Sequence, residues 1–501
     1  MDPIRVSDIY VTAGFPEHTF VPPNAYARLV NSLGQRAGGV VVEGPSGIGK
    51  SVAVAHALGE IGGALAKRAK TLSSRDQLDI TEIEHVASNH PPGLWIIEDF
   101  HHLPHATRER LADAIKHLAD QRDAECKLVL VGINNAGQSL LVGSSDLLTR
   151  ITVIEFERNP DESIERMIGL GEQWLNIRVP DHPRIVSEAR GSFLLAQLIC
   201  RSACDAAGLT EEHRAPTPLT LNIDLDQVIR SVLNDLALQF RDVCRKFARG
   251  KKPKRAGRAP YLQCLRWLAE ANEWSVQLER AGDQNPRYKG SVIQILKKGF
   301  LAQHIHDDPE ITKLIHLSAE NYLSIEDPRF VFFLRHVNWD EYREQIGFGP
   351  ESQHAYDFAL SFAGAQRGVA RAVHEALSEC GFSVFFDEVE RDRMLGTDLR
   401  AYLAPIYASS AEFVLVVLGP DYPRNYWTAF EQDQYNGRIA DGSVIPVWTV
   451  TSAPTFASNL TARGGLTFAS DDPTPQEIER AVEDLSSALD KRRWGQQRLD
   501  I

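Results

Sequence analysis

The sequence predicts a multidomain α/β protein with two parallel-sheet regions separated by a mainly helical one. Three observations lead there. At roughly 150 residues per domain, a chain of 501 residues implies about three domains. Short β-branched runs alternate with helical stretches from Gly38 to the mid-140s, and the alternation restarts after residue 354. Strands spaced by helix-length segments are the signature of βαβ units. The residues between these two stretches mostly follow helical periodicity.

Composition is that of an ordinary globular chain, 43% hydrophobic and 24% charged, which excludes disorder, collagen or a coiled-coil rod as the whole answer. No apolar run approaches the roughly 18 residues of a membrane span, and MDPIRVSDIY has neither a basic cap nor an apolar signal core. A cytoplasmic chain without membrane attachment is expected. The six cysteines are scattered, which predicts reduced core thiols rather than a disulfide framework or a metal site. A formal charge of −13 argues against general nucleic-acid affinity.

Element by element, GGVVVEG (38–44), LWIIED (94–99) and KLVLVGI (127–133) predict buried strands. NPDESIERMIGLGEQWL and SEARGSFLLAQLICRSACDAAG are apolar at i, i+3, i+4 and predict a helical lid closing a first domain at 1–215. From 216 to 347, helices such as LDQVIRSVLNDLALQF and YLQCLRWLAEA mix with KGFLAQHIH and KLIHLS, which are expected to be short extended pieces. After Phe348-Gly349-Pro350, residues 354–501 predict a second α/β domain with strands YDFALSFAG, FSVFFDE, EFVLVVLG, SVIPVWTV and GLTFAS. Glu412 is expected to precede the third of these, away from any cleft.

Between the first strand and helix SVAVAHALGEI lies Gly44-Pro45-Ser46-Gly47-Ile48-Gly49-Lys50-Ser51. It has the form G-x-x-x-x-G-K-[ST]. Glycines at 44, 47 and 49 let backbone N–H groups wrap phosphate oxygens at a helix N-terminus, Lys50 reaches the outer phosphates, and Ser51 is the Mg²⁺ ligand. A cradle alone hydrolyses nothing, so an acid that holds metal and one that orients water should end a neighbouring strand. Glu98 and Asp99 supply them.

GPSGIGKS, LWIIEDFHHL, VGINNAGQSL and the trailing lid resemble the AAA+/STAND group of P-loop ATPases over residues 1 to about 215. The resemblance implies bound ATP and Mg²⁺, with Glu98 at the metal position and Asp99 at the water-activating one. That reverses the usual Asp-Glu order, so slow hydrolysis is expected, as suits a switch. It also implies Asn134 as γ-phosphate sensor, Arg150 as an arginine finger reaching a neighbour's nucleotide, and Arg190 as a lid sensor. Asn134 also suits a strand-end turn, and either arginine also suits a helix-end charge. The middle region resembles the winged-helix module that often follows such cores.

In the last domain, the order from YDFALSFAG through the charged loop EVERDRMLGTDL to Trp427-x-x-x-Glu431 resembles a bacterial TIR domain, a flavodoxin-like fold. Trp427 and Glu431, four apart on a predicted helix, share a face near the C-terminal edge of the sheet, where open α/β sheets bind ligands. A carboxylate beside an aromatic wall suits cleavage of an N-glycosidic bond through an oxocarbenium-like state. In TIR domains that hydrolyse NAD⁺ the glutamate of this motif is catalytic, so the resemblance implies that role for Glu431. Phe362, Ala363, Trp427 and the loop from Asp392 to Gly396 would line the cleft. The other reading makes Trp427 a core anchor, Glu431 a solvated residue and the domain an adaptor.

Residues 245–258 carry eight basic side chains in fourteen positions. A solvated linker is the favoured reading, and contact with phosphates of a phage nucleic acid or with an acidic partner surface is the alternative. Together the parts predict an ATP-gated antiphage effector that self-associates through its ATPase and TIR domains on a phage-derived trigger and destroys NAD⁺. Its rivals are a non-catalytic TIR scaffold and a nucleic-acid-stimulated ATPase.

Overall fold

In the computed structural model the described residues are 3–35, 38–121, 125–133, 150–254, 256–272, 274–349, 352–388, 396, 398–419, 422, 426–449, 460 and 463–497. They group into two compact units. The first comprises 1–240, 271–275 and 325–336, and the second 241–270, 276–324 and 337–501.

The first unit is built on five parallel strands: β1 (Gly39–Glu43), β2 (Ala69–Ser73), β3 (Gly93–Glu98), β4 (Cys126–Val131) and β5 (Ile151–Glu155). Their order is β2-β3-β4-β1-β5. Strand β1 pairs with β4 and β5, so Val40, Val41 and Val42 are buried along both faces and edges. This is why the sequence reads there as an unbroken apolar run. Strand β2 has no such run: at the edge of the sheet only Leu72 of Ala69–Ser73 is buried. Helices Asp161–Leu175, His182–Ala189 and Phe193–Ala206 follow, and β6 (Ile177–Arg178) pairs in parallel with β7 (Leu219–Thr220).

In the middle of the chain the long helix Leu225–Arg249 leads to the helices Pro260–Glu270, Leu278–Gln284 and Pro286–Lys297. Strands β8 (Ser275–Gln277), β9 (Ile315–Leu317) and β10 (Tyr322–Ile325) form a small sheet in the order β8-β10-β9. The expectation of an extended KGFLAQHIH is overturned, because Phe300–His306 is a helix that buries Leu301, His304 and Ile305. Those residues recur at i, i+3 and i+4, the spacing of one helical face. Gly299 supplies the left-handed start at φ +70°.

The second unit carries β11 (Tyr356–Phe362), β12 (Val384–Phe385), β13 (Ala411–Leu418), β14 (Val444–Thr449) and β15 (Leu466–Phe468), parallel and ordered β12-β11-β13-β14-β15. Alternation along β11 sorts its side chains between two cores. Phe358 and Leu360, with Phe362 packed at the margin, join helices Arg367–Glu379 and Pro475–Gln497. Ala359 joins Leu403, Tyr407, Tyr422 and Tyr435 on the opposite face.

The basic run begins in the last turn of helix Leu225–Arg249, with Arg245, Lys246, Arg249, Lys251 and Lys252 exposed. Lys246 pairs with Glu310 at 2.5 Å, Lys252 with Glu379 at 2.5 Å, and Lys251 with Asp307. Arg258 is buried, with Nε 3.0 Å from both carboxylate oxygens of Asp357. Arg493 donates to the same Asp357 at 2.5 Å and to Glu412 at 2.8 Å. The Ser352 hydroxyl accepts from Arg258 and donates to Glu412, both at 3.3 Å. Glu412 therefore lies inside β13 at 2% exposure, which corrects its expected place before the strand. A glutamate between apolar residues reads as a strand margin unless its distant arginine is known.

All six cysteines are buried, and none forms a disulfide. Among the described residues no helix is long and apolar enough to cross a membrane.

Candidate functional site

At the end of β1 the chain turns through Gly44, Gly47 and Gly49, with φ of +148°, +73° and +98°. A Cβ on Gly44 would stand 2.2 Å from the Phe156 carbonyl oxygen, and one on Gly47 would stand 2.6 Å from Pro328 Cγ. The tight turn thus needs glycine for both conformation and space. Lys50 opens the helix Lys50–Ile61, and its ammonium donates to the carbonyls of Gly44 at 2.8 Å and Pro45 at 2.7 Å. Burial lowers its pKa to about 8.

Ser51 Oγ donates to Glu98 Oε2 at 2.9 Å, from the last residue of β3. This hydroxyl and carboxylate are the hard oxygen donors that Mg²⁺ prefers, and burial raises the pKa of Glu98. The residues fit a magnesium–nucleotide pair, which when bound would supply positive charge beside the outer phosphates. Asp99 follows in left-handed conformation at φ +54°, and its carboxylate accepts from Arg75 Nε at 2.5 Å.

Arg75 also pairs with Glu326, which His102 meets at 2.9 Å and His101 at 3.4 Å. Although burial opposes it, hydrogen bonds from the two histidines hold the Glu326 carboxyl well below its ordinary range. His101, His102 and Glu326 bring donor atoms within 4.8 Å of one another, but the Arg75 guanidinium already neutralises that carboxylate. No sequence pattern links Arg75 to Glu326, 251 positions apart.

Arg150 stands just before β5, at the opposite end of the parallel strands from the cradle, and donates to Asp120 at 2.8 Å. Arg190 ends the helix His182–Ala189 at φ +44°, and its carbonyl accepts from Arg158. Gly191 and Ser192 follow it, and the Ser192 hydroxyl lies 3.3 Å from the Gly47 carbonyl. Asn134 lies outside the described residues.

The second site lies at the C-terminal end of β11. Helix Tyr426–Tyr435 carries Glu431, whose Oε2 accepts from the buried Ser361 hydroxyl at 2.5 Å. Ser361 Oγ is 2.5 Å from the Tyr422 hydroxyl, which is 2.9 Å from that of Tyr435. The Tyr407 hydroxyl, also near Glu431, donates to the Leu360 carbonyl at 2.9 Å. Burial pushes the Glu431 carboxyl up to about 8, against the opposing pull of Ser361. Phe362 ends the same strand, buried Ala363 follows it, and the Arg367 guanidinium stands 5.1 Å from the Phe362 ring. Gly396 is exposed at φ +77°. Trp427 belongs to the helix of Glu431, four residues earlier; its side chain, like all of Asp392, lies outside the described residues.

Residues 358–484 match the family model described as TIR domain. This segment is a TIR domain. It includes Ser361, Phe362, Trp427 and Glu431. Over 83 residues the chain is 34% identical to the 3′ cyclic ADP-D-ribose synthase AaTIR of Aquimarina amphilecti, 17% of this chain and 25% of that protein. Over 102 residues it is 30% identical to the 2′ cyclic ADP-D-ribose synthase BtTIR of Bacteroides thetaiotaomicron, 20% of this chain and 34% of that protein. The chain thus spans a quarter to a third of these relatives.

Outside the TIR domain, the first unit has a P-loop ATPase-like fold, on the strength of its strand order and the cradle after β1. Among solved structures, the Walker-type ATPase PABY2304 of Pyrococcus abyssi is 12% identical, with 65% of this chain and 99% of that one covered at a TM-score of 0.40. The ORC2 protein of Aeropyrum pernix is 11% identical, with 68% and 96% covered at 0.37. Within the TIR domain, the tyrosines around Glu431 escape sequence reading because they come from separate segments, and Tyr422 and Tyr435 stand in the polar stretches GPDYPRN and EQDQYNGR.

Proposed function

We propose that the chain is a nucleotide-controlled effector whose TIR domain cleaves NAD⁺ at the nicotinamide–ribose bond, with Glu431 as the catalytic carboxylate. The carrying observation is Glu431 itself, a half-buried acid hydrogen-bonded to Ser361, the residue before Phe362, at the C-terminal edge of β11. In cleavage, the C–N bond electrons leave with nicotinamide, which departs neutral, and the ribose carbon becomes cationic. Ionised Glu431 stabilises that charge. Water completes hydrolysis to ADP-ribose and a proton; an internal hydroxyl would give a cyclic product, the class named for the two relatives.

The remaining parts form a switch: an ATPase region over 1–215, a winged-helix-like coupling region over 216–347 and the effector over 354–501. Gly44, Gly47, Gly49, Lys50 and Ser51 hold ATP, Ser51 and Glu98 hold Mg²⁺, and Asp99 orients water once Arg75 releases it. Asn134 senses the γ-phosphate, Arg150 reaches the nucleotide of a neighbouring copy, and Arg190 is the lid sensor. Self-association of the ATPase and TIR domains in the cytoplasm, on a phage-derived trigger, turns cleavage on and aborts infection.

The test is product analysis of NAD⁺ incubated with the full chain, with and without ATP and Mg²⁺, beside Glu431→Gln. Nicotinamide release that disappears in the variant is expected. No release in any assembled state would leave the domain an adaptor, and ATP turnover stimulated by nucleic acid alone would make the chain a motor.

A further inference from the structure

Ser361 is fully buried on β11 and lies on the face of Ala359, toward the helix of Glu431. It has one hydrogen to donate and lone pairs to accept. Its Oγ lies 2.5 Å from both Glu431 Oε2 and the Tyr422 hydroxyl, and Tyr422 is 2.9 Å from Tyr435. The Ser361 hydroxyl donates its one hydrogen to Glu431, so its lone pairs are open to the Tyr422 hydroxyl, as those of Tyr422 are to Tyr435. Bonds running in that direction all point positive charge at the carboxyl, and each bond polarises the next.

Resting on the NAD⁺ reading above, we propose that Ser361, backed by Tyr422 and Tyr435, is the positioning residue of Glu431. Its hydroxyl chain lets a cationic dinucleotide, but not its neutral reduced form, draw the carboxyl into the ionised state.

The surroundings favour this. Facing Glu431 are Ser361 from β11, Tyr407 from the turn before β13, Tyr422 after β13, Tyr435 from its own helix, and Asp387, which Arg367 approaches at 3.4 Å. Asp387 raises the Glu431 pKa further, so the acid is mainly neutral at pH 7 in the free chain. A positively charged nicotinamide ring beside it favours ionisation, whereas the uncharged ring of NADH offers no such gain. Binding of NAD⁺ then releases a proton from the carboxyl, and the Ser361 hydroxyl, already donating to it, stabilises the charge left behind.

The experiment follows the Glu431 carboxyl directly, by ¹³C-glutamate NMR of the full chain with Glu431→Gln to assign the signal. The pH dependence of NAD⁺ cleavage is measured in parallel. Ser361→Ala should move the carboxyl titration to higher pH and cut cleavage at pH 7 on the order of tenfold, with the rate regained near pH 9. Tyr422→Phe, which keeps the Ser361 hydroxyl, should shift both in the same direction by less. Saturating NAD⁺ should lower the titration midpoint, and NADH should leave it in place. An unmoved titration in both variants, or a loss of rate equal at every pH, overturns the positioning role. Equal effects of NAD⁺ and NADH overturn the charge selection. A wild-type chain that cleaves no NAD⁺ overturns the function, while the titration shift still decides the role of Ser361.

Discussion

Glu431 carries a stability signature as well as a chemical one. Its folded pKa lies near 8, above the ordinary carboxylate value, so between those two pH values the folded chain holds a proton that the unfolded chain has lost. Stability must fall as pH rises through that window. Glu431→Gln has no proton to lose, so its melting temperature should exceed that of the wild type by a few degrees at pH 8 and match it near pH 4.5. Calorimetric scans of both proteins across that range check this. Lys50 has the opposite sense. Its pKa of about 8 rises when phosphate oxygens arrive, so ATP binding at pH 8.5 should take up a fraction of a proton. The binding enthalpy should then change with the ionisation heat of the buffer, and Lys50→Ala should bind no ATP.

Among the elements, those whose residues contact near neighbours in sequence were legible, and those completed from afar were not. The cradle, the strand ending at Glu98, and the helix bearing Trp427 and Glu431 are all visible as local pattern. Strand β2 is not, because an edge strand needs no apolar run, and Glu412 is not, because its reason for burial is Arg493, 81 residues away. Arg258 is hidden within the basic run for the same cause: charge density is visible in sequence, and its burial against Asp357 is visible only in the fold. Removing one member of a buried charge group costs about 3 kcal/mol or more. Arg258→Met should therefore lower the melting temperature clearly, as should Glu412→Gln to a lesser degree, since Ser352 and Arg493 can still donate to the amide oxygen. Glu483→Gln, on the exposed face of helix Pro475–Gln497, should do nothing measurable and is the proper control.

For the whole molecule, the proposed switch makes a kinetic statement. If TIR domains are activated by meeting one another, tethering each to a self-associating ATPase raises their effective concentration. NAD⁺ cleavage should then grow more steeply than the first power of protein concentration, and ATP should move the rise to lower concentration. Strict proportionality from dilute to concentrated protein, with and without ATP, would argue for a constitutive enzyme. Lys50→Ala should retain only the high-concentration activity.

The buried quartet of Arg258, Arg493, Asp357 and Glu412 also bears on how such a chain can be recombined. Two guanidinium and two carboxylate groups balance as a set, and one of the four lies nearly a hundred residues before the TIR domain begins. A gene fragment starting at residue 354 would carry two buried anions and one cation, an unbalanced interior that water must enter to relieve. A fragment starting at residue 241 would remain electroneutral at that spot. The longer piece should express as a monodisperse protein and the shorter one should aggregate or melt early, so the transplantable cassette begins with the basic helix end rather than at the glycine–proline linker.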